Sequence, residues 1–179
     1  MPDVRYTLFD TAIGRCALAW GDRGVIGVQL PEGSDDATRD RIRAACPAAV
    51  ESAPDAAGGR AVEAVTELLE CGRAPDAAVP LDLSEVPEFD ARVYAVTRTI
   101  TAGSTLTYGQ VADLLGSPGA AQAVGQALGR NPIPLLVPCH RVLAAGGRVG
   151  GFSAHGGAVT KRVLLAIERA PGFDEPTLF

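Results

Sequence analysis

LTYGQVADLLGSPGAAQAVG, residues 106–125, reads as two short helices joined by a turn. Gln110 to Leu115 carries the first helix. Gly116, Ser117, Pro118 and Gly119 supply the turn, and Ala120 to Leu128 carries the second. In that second helix Ala120, Val124, Ala127 and Leu128 recur at helical spacing and face inward, leaving Ala121, Gln122, Gly125 and Gln126 outside. Small outer residues let a helix backbone approach a DNA groove closely. Many such helix pairs are only structural. A second stretch, shortly downstream, gives this pair more weight: VPCHRV, residues 137–142, sets Cys139 between Pro138 and His140. A free cysteine is more often a core residue than a nucleophile, but a cysteine beside a potential base, downstream of a DNA-reading pattern, points to chemistry performed on DNA.

Working outward, the N-terminal part reads as β. Short apolar runs at Tyr6 to Phe9, Cys16 to Trp20 and Val25 to Leu30 are broken by Gly and Asp, with Gly21, Asp22, Arg23 and Gly24 forming a turn. Asp36 to Ala45 predicts a helix ended by Pro47. Arg60 to Cys71 predicts another, with Val62, Val65, Leu68 and Leu69 on one face and Gly72 as its stop. Val79 to Leu83 predicts an edge strand, because Pro80 cannot donate to a ladder. Phe89 to Thr99 predicts a helix packed through Phe89, Val93, Val96 and Ile100. The fold class is therefore α+β: residues 1–85 form a small sheet with helices, and residues 86–179 form a mainly helical part.

A chain of 179 residues can bury a proper core. It has no apolar run long enough for a membrane span, and Met1 to Tyr6 has no apolar signal region, so a cytoplasmic protein without membrane partners is expected. Cys16, Cys46, Cys71 and Cys139 lie far apart, and His140 and His155 are the only histidines, so neither disulfides nor a metal site is suggested. The net charge of −5 looks wrong for a DNA binder, but residues 1–88 carry −8 and residues 89–179 carry +3. The small basic excess falls in the half with the motifs and predicts modest affinity with a shallow salt dependence.

FDARVY (89–94), LTYGQV (106–111), GRNP (129–132), PCHRV (138–142) and KRVLLAIE (161–168), in this order, resemble the O6-alkylguanine-DNA alkyltransferase family. The N-terminal part matches only through TAIG (11–14) and GDRG (21–24). The resemblance implies a ribonuclease H-like N-terminal domain and a winged-helix-like C-terminal domain with an active-site loop. It implies Cys139 as alkyl acceptor, His140 as a base acting through a water, and Glu168 as the group that orients His140. Taken alone, Glu168 reads equally well as a solvated carboxylate. Asn131 would brace the turn leading to the site, Pro134 would line the pocket, and Tyr108 would help extrude the nucleotide. The carbonyls of Cys139 and Val142 would receive the guanine amino group, and Ser153 would contact O6. Residues 150–157 would close over the base, with Phe152 where the family often has Tyr. Ala120, Ala121, Gln122, Gly125 and Arg130 would meet DNA. Arg141 reads as a structural or phosphate contact, and His155 as a solvated loop residue.

Gln122 departs from the pattern, since the family usually places an intercalating arginine there. Double-stranded DNA containing O6-alkylguanine, with O4-alkylthymine as a further lesion, is the implied partner of a monomer that needs no cofactor. Two rivals are a lesion-binding relative that performs no transfer, which characteristically lacks the acceptor cysteine, and a helix-turn-helix regulator with a structural cysteine.

Overall fold

The computed structural model describes residues 3–73, 79–150 and 156–173. Strands β1 (Arg5–Thr11), β2 (Gly14–Gly21) and β3 (Gly24–Gln29) form an antiparallel meander, and β4 (Val50–Glu51) adds in parallel to β1, giving the order β3-β2-β1-β4. Helix α1 (Asp35–Ala45) packs on one face of this sheet. Helix α2 (Ala56–Cys71) packs on the other. This two-sided cover explains why β2 reads as an unbroken apolar run. Cys16, Leu18 and Trp20 point into the main core, while Ala17 and Ala19 face Ile42 and Cys46 in a smaller cluster.

The second part contains α3 (Glu88–Thr97), β5 (Leu106–Thr107), α4 (Tyr108–Leu114), α5 (Ala121–Gly129), β6 (Val142–Leu143) and α6 (Ala158–Ile167). Its apolar side chains join those of the sheet in one cluster that runs from Trp20 and Leu69 through Val93, Val124 and Val137 to Leu164. Two glycines permit close approaches within this packing. A Cβ on Gly58 would lie 2.7 Å from the Trp20 ring, and Gly72 ends α2 in the left-handed region at φ 67°.

Several expectations need correcting. Residues 79–83 do not form a strand: Leu81 makes an isolated bridge to Val25, with the Pro80 carbonyl accepting from Val25 N–H and Asp82 N–H donating to the Val25 carbonyl. Farther along β3, Val28 N–H donates to the Pro132 carbonyl at 3.0 Å, so the sheet edge is covered and tied to the segment leading to Cys139. Gln110 is not the start of α4. Thr107 Oγ1 accepts from Gln110 N–H while Gln110 Oε1 accepts from Thr107 N–H, a capping box that starts the helix at Tyr108. The inward face of α3 is also rotated from the expected stripe. Asp90, Tyr94 and Thr97 are buried with Val93, whereas Phe89 and Val96 are half-buried. Each buried polar group there has a partner: Arg130 for Asp90, the Ala127 carbonyl for Tyr94, and the Val93 carbonyl for Thr97.

Candidate active site

The segment between α5 and β6 brings Cys139 to its place. Leu135 is buried with a left-handed backbone (φ 73°), a conformation that costs a non-glycine residue about 1–3 kcal/mol. Asn131 holds this bend: its Nδ2 donates to the Val137 carbonyl at 3.0 Å, and its Oδ1 accepts from Ile133 N–H at 3.0 Å. Cys139, His140 and Arg141 then form a single 3-10 turn after Pro138. All three side chains are buried.

Glu168, just past the end of α6, gathers the site. His140 Nε2 lies 2.7 Å from Glu168 Oε1, and Arg141 donates to the same carboxylate from Nε and Nη2 at 2.7–3.1 Å. Arg141 Nη1 also donates to the Ile100 carbonyl at 2.6 Å. The Glu168 and His140 side chains are each 1 % exposed. Arg141 is therefore a buried counter-ion, and of the two roles expected for it the phosphate contact is excluded by burial. Residue spacing carried a signal for this arrangement. Lys161 and Glu168 are seven apart and share the buried stripe of Leu164 and Leu165, so charged groups were headed for the interior.

The electrostatics fix the protonation states. Burial pushes the Cys139 thiol up, opposed by the Asn131 hydrogen bond and the charge of Lys161, so the resting group is a thiol. Burial also pushes His140 below its ordinary value despite Glu168, which keeps the imidazole neutral. Burial pushes Glu168 up, but the hydrogen bonds and charges of His140 and Arg141 together hold it down at about 2. With Glu168 ionised, His140 Nε2–H is the donor to it, and Nδ1 carries the lone pair. Nδ1 is buried and has no hydrogen-bond partner among the described residues.

Tyr108 is half-buried at the first position of α4. Gly150 lies against its hydroxyl, where a Cβ would come within 3.0 Å. Lys161 Nζ sits 5.7 Å from the Tyr108 ring centre and donates to the Val142 carbonyl at 2.6 Å. The Cys139 carbonyl accepts from Val142 N–H. A carbonyl oxygen has two lone pairs, so neither of these bonds by itself saturates the two carbonyls expected to face guanine. Lys161 is a buried site residue to which the sequence reading gave no role. A cavity of about 170 Å³ also reaches Cys139, lined from β3 and α1 by residues including Val28, Leu30, Ile42 and Ala45, and from the other side by Asn131, Pro132 and Pro134.

On the helix pair, Gln122 and Gln126 are exposed, while Ala120, Ala121 and Gly125 are half-buried. Arg130 forms a two-pronged ion pair with Asp90 at 2.9 and 3.0 Å, so its guanidinium is already engaged within the protein. Phe152, Ser153 and His155 lie outside the described residues. Among the described residues, no cluster of His, Cys, Asp and Glu could hold a metal ion. No described helix is long and apolar enough to cross a membrane.

Known proteins resemble the chain in both sequence and fold. Residues 88–170 match the family model of the 6-O-methylguanine DNA methyltransferase DNA binding domain. A methylated-DNA–protein-cysteine methyltransferase of Mycobacterium bovis is 46% identical over 101 residues, covering 56% of this chain and 59% of that protein. Over that match, the chain spans about three fifths of its mycobacterial relative's length. The rat protein of the same name is 32% identical over 176 residues, covering 94% of this chain and 83% of its own length. The crystal structure of Mycobacterium tuberculosis OGT in complex with DNA superposes with a TM-score of 0.75 at 32% identity, covering 94% and 96% of the two chains. An O6-methylguanine-DNA methyltransferase from Pyrococcus kodakaraensis shares the fold at 24% identity and a TM-score of 0.70. Since the rat match runs through both the sheet and the Cys139 site, the chain belongs to the methylated-DNA–protein-cysteine methyltransferase family.

Proposed function

We propose that this protein repairs DNA by moving an alkyl group from O6 of guanine to Cys139. The observation that carries this reading is the buried His140–Glu168 pair beside Cys139, with imidazole Nδ1 left as an available base. The thiol proton passes to Nδ1, through a water where the two groups do not touch. The sulfur then attacks the alkyl carbon as the C–O6 bond breaks. The bond's electron pair stays with guanine, which takes up a proton to become the neutral base. The product is a thioether, and nothing in the chemistry regenerates the thiol, so each molecule acts once and without a cofactor.

Stacked duplex DNA would keep the O6 substituent from a protein sulfur, so the nucleotide must be extruded. Tyr108 would crowd the backbone and meet the guanine edge. The Cys139 and Val142 carbonyls would take the amino group, and Ser153 and Phe152 would complete the pocket. The outer face of α5, through Ala121, Gln122 and Gly125 and flanked by Ala120 and Arg130, would enter the groove. The two parts, residues 1–85 and 86–179, are read as ribonuclease H-like and winged-helix-like units of a cytoplasmic monomer. O4-alkylthymine would be a secondary substrate.

Mass spectrometry after mixing with a duplex containing O6-methylguanine tests the proposal. A stoichiometric gain of one methyl group is expected. DNA binding without a gain would instead support a lesion-binding protein, and no preference for the lesion would support a regulator.

Gln122 offers a further prediction. Gln122→Arg should speed transfer from duplex DNA on the order of tenfold, with less effect on a single strand or a free base, because extrusion costs a few kcal/mol mainly in a duplex. The added cation should steepen the salt dependence of binding by about one unit. Rates on the three substrates at two salt concentrations check this. Equal acceleration on all of them would place the effect outside base extrusion.

A further inference from the structure

We propose that Asp90 and Tyr94 of α3 are positioning residues that clamp the C-terminal end of α5 and so set the angle at which its outer face meets the duplex. This rests on the transfer function proposed above. The two side chains lie one helical turn apart on the buried face of α3. Both reach the end of α5. The Asp90 carboxylate accepts from Arg130 Nε at 2.9 Å and from Nη2 at 3.0 Å, and the Tyr94 hydroxyl donates to the Ala127 carbonyl at 2.7 Å. The Asp90 side chain is 4 % exposed and that of Arg130 58 %, so the guanidinium covers a carboxylate that water scarcely reaches.

A buried ion pair is a poor source of net stability, but a forked one fixes angle as well as distance. The apolar residues that α5 buries, Val124, Ala127 and Leu128, make non-directional contacts that leave its tilt undetermined. The start of α5, at Ala120, makes no side-chain capping bond among the described residues. Asp90 and Tyr94 therefore hold the helix at one end. Gln122 lies about 12 Å along the axis from Arg130, so a pivot of about 5° at an unclamped end would carry it about 1 Å. A misplacement of that size can cost on the order of a hundredfold in rate. Asn131, which braces the bend toward Cys139, follows Arg130 directly. The clamp thus ties the helix that meets DNA to the segment that carries the nucleophile. It also uses the charge of Arg130 within the protein, beside the groove-facing surface and not on a phosphate.

The test is the ratio of single-turnover rates on a duplex carrying O6-methylguanine and on the free base O6-methylguanine, using the full chain. Asp90→Ala should lower the duplex-to-free-base ratio on the order of tenfold or more, because a free base has no duplex to align. Tyr94→Phe removes a single hydroxyl and should lower the ratio in the same direction. The Ala127 carbonyl keeps a partner in that variant, since it also accepts from Arg130 N–H, so Tyr94→Phe decides the matter if circular dichroism shows Asp90→Ala misfolded. An unchanged ratio in the folded variants overturns the clamp, as does an equal loss on both substrates, the result of destabilisation alone. A faster duplex reaction with tighter DNA binding in Asp90→Ala also overturns it, because Asp90 would then merely keep the Arg130 charge from a phosphate. Failure of the unsubstituted protein to take up methyl from the duplex would overturn the functional reading itself, a separate result.

Discussion

Cys139→Ser is expected to reduce alkyl transfer by on the order of 10⁴-fold or more while leaving the fold and DNA binding in place. A serine hydroxyl nearly matches the thiol in shape but is a far weaker nucleophile, and His140 is too weak a base to ionise it fully. The other three cysteines sharpen the test. Cys16 is fully buried and its thiol is pushed up to about 12 by burial, and Cys46 is also buried and pushed up. Cys71 is exposed, and by accessibility alone it is the thiol that should react first. Serine at positions 16, 46 or 71 should nevertheless preserve transfer. Peptide mapping of the alkylated protein decides between the sites: label on Cys71, or label persisting in Cys139→Ser, would remove the basis of the assignment.

Glu168→Ala should slow transfer and destabilise the protein together. It leaves His140 without its orienting acceptor and the Arg141 charge buried without a counter-ion, a kind of loss that costs about 3–5 kcal/mol. Rates of His140→Ala, Glu168→Ala and the double variant should be non-additive, because the two residues act as a unit. The acid sensitivity has a definite sign. The folded-state value of Glu168 is depressed from 4.5 to about 2, so its contribution is fully present above about pH 4.5 and is lost as the pH falls toward 2. Denaturant titrations between pH 7 and pH 3 should show this loss in the native protein and a smaller one in Glu168→Gln. Arg141→Met should move the rate profile in the other direction along the pH axis. Without the guanidinium, whose charge helps hold the His140 value down, His140 stays protonated to higher pH and the acid limb shifts upward. An unmoved acid limb would make Arg141 a packing residue only.

The elements marked by local chemistry were legible in the sequence. Gly116 to Gly119 announced the turn of the helix pair, Gly72 announced the end of α2, and the apolar runs of the meander fell on β1, β2 and β3. What sequence reading missed depends on distant partners. Strands β4, β5 and β6 are two residues each and exist because β1, or each other, lie alongside. The turn of α3 toward Asp90 and Tyr94 depends on Arg130 and the Ala127 carbonyl, some 33 to 40 residues away. The same holds for charge. The basic excess after residue 88 suggested a surface for DNA, yet Arg141 and Lys161 are buried and Arg130 is tied to Asp90. A net charge counted along a chain includes cations that never reach solvent.

Trp20, the sole tryptophan, has consequences for how the protein can be observed. Its indole rests on Gly58 in the shared core, under α2, and does not line the cavity beside Cys139. Intrinsic emission should therefore change little when a lesion is bound or the sulfur becomes a thioether, and should shift sharply to the red when the sheet parts from the helices. A melting curve recorded by that emission should coincide with one recorded by far-ultraviolet ellipticity, which is dominated by helices of both halves, because one core cannot come apart in two steps.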